Sequence, residues 1–202
     1  MLFTDTYFEI TQHAESSLRE KGSRFLAYSY HVSSEEDVKK HVNELKQKYP
    51  DATHHCYAFV LGQASQAQRA NDDGEPSNSA GRPILRAILS KQLTNVLVVV
   101  VRYFGGTMLG IPGLIEAYGS SAKMVLDVSG SVEKFMEEKF SLSTEFQHEQ
   151  EIHRLLNPFQ IRIVHREYTD KVCYEVMVRK SQALNFEKLG KDNYLIEIKS
   201  LN

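Results

Sequence analysis

Two glycine-rich turns hold the residues whose types and spacing could do chemistry: Asp72-Asp73-Gly74-Glu75-Pro76-Ser77 and Gly105-Gly106-Thr107-Met108-Leu109-Gly110. Each leads into an expected helix, and the wholly apolar run Val96 to Val101 lies between them. A turn that opens a helix points free backbone N–H groups outward, and the helix dipole favours negative charge there. Two such turns around one buried strand read as an anion site. In that reading the amides of Gly105, Gly106 and Gly110 hold a phosphate or oxyanion. Arg82 and Arg102 supply charge, and Tyr103 a stacking or hydrogen-bonding edge. The plainer reading of Gly105 to Gly113 is a tight strand-to-helix turn. No Gly-Lys-Ser/Thr follows, so it is not a Walker loop.

The acidic turn has two readings of its own. Asp72, Asp73 and Glu75 offer oxygen ligands for a bridging Mg²⁺, although the spacing is not that of an EF-hand. Alternatively they pair with Arg69, Arg82 and Arg86 and hold the loop closed; Arg82 and Arg86, four apart, share a helix face. His54-His55-Cys56 lies on an expected strand, so His54 and Cys56 share one face and His55 takes the other. Zinc needs three or four convergent ligands, and no Cys-x-x-Cys or His-Glu-x-x-His exists here. Cys56 activated by His54 would be a nucleophile without an orienting third group near in sequence. The preferred reading is a buried cysteine beside partly exposed histidines. Tyr57, Tyr103 and Phe104 are the aromatics given a stacking role on bases.

These residues need elements to position them. Tyr7 to Thr11, Phe25 to Val32 and His54 to Leu61 read as strands, and Asn95 to Tyr103 as a central strand covered on both faces. Ser33-Ser34-Glu35-Glu36-Asp37 starts a helix that Pro50 stops. Pro83 opens a helix with Ile84, Ala87 and Ile88 inward. Pro112 opens another, with Leu114, Ile115, Tyr118, Ala122, Val125 and Leu126 inward. Val128-Ser129-Gly130-Ser131 reads as a linker between domains at 1–130 and 134–202. Beyond it, strands at Lys139 to Glu145, Gln160 to Tyr168, Val172 to Arg179 and Tyr194 to Lys199 enclose helices at Glu149 to Leu156 and Gln182 to Leu189. That order is the ferredoxin-like β-α-β-β-α-β unit, so the fold class is α+β.

A chain of 202 residues with 42% hydrophobic content can bury a real core. Its net charge of −2, with neither half basic, argues against coating nucleic acid nonspecifically but leaves a local basic patch open. Two cysteines in different halves and no basic-then-apolar start fit a reducing, cytoplasmic location. The longest apolar run is far shorter than the ~20 residues a membrane span needs.

Five blocks resemble the IMPACT/YigZ family, in its order: Glu20 to Ala27, Ala52 to Ala58, Asn71 to Ser77, Ala80 to Leu85 and Val98 to Gly106. The match covers roughly residues 1 to 130. The rest is similar to the smaller ferredoxin-like domain that bacterial members append. The resemblance implies that the first domain has the fold of the second domain of small-subunit ribosomal protein five, shared with domain IV of elongation factor G. It implies that the second is like domain V of that factor. Eukaryotic members regulate translation by competing for the activator of an initiation-factor kinase, and RNA or ribosome binding is inferred for bacterial ones from fold. This chain departs from the family pattern at Met108, where a basic residue is common, at Pro112, and at Asn78-Ser79.

The expected function is thus a cytoplasmic, translation-associated regulator that binds RNA or the ribosome, with no catalytic residue required and no cofactor beyond Mg²⁺ at the acidic loop. The binding residues are Arg82, Arg102, Tyr103, Gly105, Gly106, Gly110, Asp72, Asp73, Glu75 and His54. Two alternatives stand beside it. One is a protein-binding module using an exposed sheet edge. The other is an enzyme on a small phosphorylated or carboxylated substrate, with His54 or Asp72 as base.

Overall fold

A computed structural model describes residues 5–63 and 65–201; the sequence reading of residues 1–4 lies outside them. The chain forms two compact units. One runs from Tyr7 to Lys134, and the other takes the chain from Phe135 onward together with Asp5 and Thr6.

In the first unit, β2 (Ala14–Glu20), β3 (Ser23–His31), β4 (His54–Leu61), β5 (Ala67–Asn71) and β6 (Val96–Tyr103) form one sheet. Its order is β2-β3-β6-β4-β5, with every neighbouring pair antiparallel. Helix α1 (Glu35–Lys48) covers one face; α2 (Gly81–Ser90) and α3 (Gly110–Ser129) cover the other. The strand pleat divides β6 between them. Val96, Val98 and Val100 pack with Ile84, Ile88, Tyr118 and Val125 of α2 and α3. Leu97, Val99 and Val101 pack with Val38, Val42 and Leu45 of α1. All six β6 residues are fully buried, which is why this strand carries an unbroken apolar run instead of an alternating one.

Helix α1 begins on the expected cap. Ser34 Oγ accepts from the Asp37 N–H at 3.1 Å, and the Asp37 carboxylate accepts from the Ser33 and Ser34 amides at 2.9 and 3.2 Å. Pro83 and Pro112 fall in the first turns of α2 and α3, where an amide has no helical partner to lose. Ile115 is not inward as expected but 37% exposed on α3.

Strands β2 and β5 escape the sequence reading because both are sheet edges with polar, non-alternating sequences, AESSLRE and AQRAN. The expected linker is also absent. α3 runs through Ser129, and β7 (Ser131–Phe135) follows after Gly130 and pairs with β1 (Thr6–Ile10). Here small residues serve close packing instead of flexibility. Ser129 is fully buried, its Oγ 2.6 Å from Ser29 Oγ, and a Cβ on Gly130 would meet Thr11 Oγ1 at 2.7 Å.

The second unit holds β8 (Glu137–Thr144), α4 (Glu149–Leu156), β9 (Ile161–Tyr168), β10 (Val172–Arg179), α5 (Lys180–Asp192) and β11 (Glu197–Ser200). They follow the expected split β-α-β-β-α-β order, in an antiparallel sheet ordered β11-β8-β10-β9. Phe140, Leu142, Ile152, Tyr174, Val176 and Phe186 form its core. The whole is a mixed α/β protein of two units.

Candidate functional site

Strand pleating places Ser23 and Phe25 of β3, His54 and Cys56 of β4, and Arg102 of β6 toward α2 and α3. The turn after β5 folds over the ends of these strands, bent by Asp73 (φ 42°), Gly74 (φ 89°) and Asn78 (φ 63°). It delivers Glu75 to the centre of the group. Arg102 Nη1 donates to Glu75 Oε1 at 2.5 Å, and the Tyr118 hydroxyl donates to the same oxygen at 2.8 Å. Arg102 Nη2 donates to Ser23 Oγ at 3.3 Å, and its guanidinium lies over the rings of Phe25 and Phe104. Arg102 is 5% exposed and Glu75 8%, so this is a buried ion pair with a phenol attached.

The three carboxylates of the acidic turn are spent separately. Asp72 Oδ1 accepts from the Ala80 and Gly81 amides at 3.0 and 2.8 Å, and Oδ2 from the Asn78 amide at 2.8 Å, so Asp72 serves the start of α2. Asp73 Oδ2 accepts from the His55 amide at 2.7 Å, and Oδ1 from Lys46 Nζ at 3.1 Å. Burial works against ionisation of Asp73, but the His55 amide and Lys46 outweigh it and hold its carboxyl below the usual range. The loop is held closed, but not by the expected arginines. Among the described residues Arg69, Arg82 and Arg86 form no salt bridge, and the partners are Lys46, Arg102 and backbone amides. Nor do three His, Cys, Asp or Glu side chains converge to hold a metal ion among the described residues.

The structure likewise disperses the expected anion donors. The Gly105 amide donates to Ser23 Oγ at 3.2 Å, because Gly105 lies against the Gly22 backbone. Arg102 is consumed by Glu75. Tyr103 points to the opposite face of the sheet from Arg102, and its hydroxyl donates to Asp51 Oδ1 at 2.9 Å. Tyr57 shares that opposite face, so Tyr57, Tyr103 and Phe104 do not form one stacking platform. Arg82 is exposed on α2. Gly106 (φ 85°) and Gly110 (φ 70°) keep the left-handed conformations that favour glycine, at the open rim.

Cys56 is fully buried, its thiol donating to the Asp72 carbonyl at 3.0 Å and to the Tyr118 hydroxyl at 3.3 Å. Burial pushes this thiol far up and so disfavours the reactive thiolate. Tyr118, buried against Cys56 and Glu75, is held as the neutral phenol. From the sequence Tyr118 reads only as core, and Ser23 carries no signal of a site role. Nothing in local spacing links Glu75 to Arg102, which are 27 residues apart.

What the turns build is an apolar groove. Pro76, Phe104, Met108, Leu109, Ile111 and Leu114 wall a cavity of about 300 Å³, with His54, Glu75 and Arg102 at its floor. Phe104 is 48% exposed, Ile111 54% and Met108 88%, so the apolar surface spreads past the cavity onto the rim.

The first unit is thus a mixed α/β domain with a buried carboxylate–guanidinium–phenol cluster beneath an apolar groove. Residues 21–126, more than half of the chain and including every residue of that cluster, match the Impact N-terminal domain. The IMPACT family member YvyE of Bacillus subtilis (strain 168) is 33% identical over 183 residues, 91% of this chain and 84% of that one. The IMPACT family member YigZ of Escherichia coli (strain K12) is 32% identical over 168 residues, 82% of each chain. A crystal structure described as that of an hypothetical protein superposes with a TM-score of 0.70 at 27% identity, over 99% of both chains. The chain belongs to the IMPACT family.

Proposed function

We propose that this protein is a translation-associated regulator that acts by binding a protein partner at the groove formed by Phe104, Met108 and Ile111. The observation that carries this reading is the character of the site. Its strongest cation, Arg102, is paired with Glu75, its Gly105 amide is taken by Ser23, and its open surface is apolar. Large exposed apolar patches favour protein contact, whereas phosphate recognition needs free cations and amides. The translational role rests on family membership. The likeness of the two units to ribosomal protein five and to elongation factor G domains IV and V belongs to this proposal too. So does a cytoplasmic location; no helix among the described residues is long and apolar enough to cross a membrane.

RNA contact keeps one supporting observation: Arg82 and Arg86 are exposed on α2 and form no salt bridge among the described residues. The enzymatic reading loses Asp72 as a base, since both its oxygens already accept backbone amides. Co-sedimentation of the full chain with ribosomes across a salt series separates the readings. Binding through the groove depends weakly on salt, is lost in Met108→Asp and survives Arg82→Ala. A steep salt dependence, with loss in Arg82→Ala and none in Met108→Asp, would overturn the protein-partner reading in favour of RNA.

A further inference from the structure

The groove's floor leaves one carboxylate oxygen without a partner, which restricts what fills it. Every contact made by the Glu75 carboxylate among the described residues falls on Oε1, which takes Arg102 and Tyr118. Oε2 meets no donor. Nor is it one of the fully sealed side-chain atoms without partners, which are Ser16 Oγ, His55 Nε2, Arg102 Nε, Ser121 Oγ and Gln182 Oε1 among the described residues. It therefore keeps contact with the solvent of the groove that Glu75 lines. A carboxylate oxygen left unsatisfied on a side chain only 4% exposed calls for a partner.

His54 lines the floor beside it. Its Nδ1 lies 2.8 Å from the Asp73 carbonyl oxygen, which can only accept, so Nδ1 carries the proton. Its Nε2 stands on the groove side, 3.8 Å from Glu75 Oε1.

We propose that the groove receives the side chain of a tryptophan carried on a segment of a partner protein, with the indole N–H donating to Glu75 Oε2. This rests on the protein-partner reading and names what that partner presents. A phosphate or carboxylate would set its own oxygens against the Glu75 carboxylate, and the unpartnered Arg102 Nε is sealed away from the groove. A lysine or arginine would bring an uncompensated charge between apolar walls, because Arg102 already neutralises Glu75. An aliphatic or phenylalanine side chain would seal Oε2 unpaired. A phenol donates, but its own lone pairs would then lack donors; indole is apolar apart from one donor and has no acceptor. A free small molecule would leave the apolar rim of Phe104, Met108 and Ile111 uncovered, whereas a protein segment covers it.

The chain contains no tryptophan, so the emission of an added indole is read without background. The probes, titrated into the full chain, are N-acetyl-tryptophanamide, its 1-methylindole analogue, and a soluble pentapeptide with tryptophan flanked by leucines. The expected result is a saturable blue shift, tighter for the pentapeptide than for the amide. The methylated analogue should bind about tenfold more weakly. Met108→Asp, altered at a residue 88% exposed, should keep the fold and lose the pentapeptide. Glu75→Gln should erase the preference for N–H over N-methyl, and the methylated probe on the unaltered chain tests the same bond without risk to folding. Absence of a saturable shift, or equal affinity for the methylated analogue, overturns the tryptophan assignment. A pentapeptide no tighter than the amide overturns the protein source. If the probes fail while Met108→Asp still abolishes ribosome binding, the protein-partner reading survives without the tryptophan.

Discussion

Gly105 packs on Gly22 backbone to backbone, so closely that a Cβ on Gly105 would stand 1.9 Å from the Gly22 carbonyl carbon and 2.3 Å from the Ser23 nitrogen. This joint holds the β2–β3 turn against the end of β6, where Ser23 Oγ accepts from both the Gly105 amide and Arg102. Glycine at 105 is thus required by approach, not by dihedral angle. Gly106 is the converse: its φ is +85° and a Cβ there would meet nothing within 4 Å.

The two glycines should therefore respond differently to alanine. Gly105→Ala must push two backbones apart and should cost about 3 kcal/mol. Gly106→Ala pays only for a left-handed residue, about 1 kcal/mol. Urea unfolding of the two variants compares them directly, and similar midpoints would show that the Gly22 contact is not tight.

Arg102 should behave as a structural residue. Arg102→Ala leaves Glu75 charged and buried, and should destabilise the first unit by about 3–5 kcal/mol. Combining Arg102→Leu with Glu75→Gln removes both charges and should cost less than the sum of the single changes. A double-mutant cycle on unfolding free energies measures the coupling, and additivity would mean that the pair contributes nothing as a pair.

Helix α1 carries an acid-sensitive cap. The Ser33 amide and hydroxyl, followed by Ser34, hold the Asp37 carboxyl down at about 2, against an ordinary value of 3.8. A carboxyl depressed by folding adds stability that is fully present above its unfolded value and is lost as pH falls through the folded one. The contribution of Asp37 should accordingly be constant at neutral pH and disappear between pH 3.8 and about 2. Carbon-detected NMR titration of the Asp37 carboxyl reads this, and Ser33→Ala should return its midpoint toward the ordinary value.

The two thiols should differ in access. Cys56 is sealed beneath the acidic turn, and Cys173 is half-buried on β10. Iodoacetamide should label Cys173 in the native protein and reach Cys56 only on unfolding. Mass spectrometry locates the adducts, and early labelling of Cys56 would mean that the turn opens readily.

Local physics makes much of this protein legible from its residues alone. The unbroken run Val96 to Val101 demands a strand covered on both faces. Ser34 and Asp37 demand a helix start, and β4, α4 and β10 lie where periodicity places them. Each depends on neighbours within a few positions. The character of the site does not. Whether the Gly105 amide is free depends on Gly22, and whether Arg102 is free depends on Glu75, 27 residues away. The pleat separates the adjacent Arg102 and Tyr103 onto opposite faces, and only the helices on each face decide what they meet. Spacing alone suggests a cradle of donors for an anion. Packing of the acidic turn onto the sheet spends those donors on the protein's own carboxylate and hydroxyl, and leaves an apolar groove over one unpartnered carboxylate oxygen.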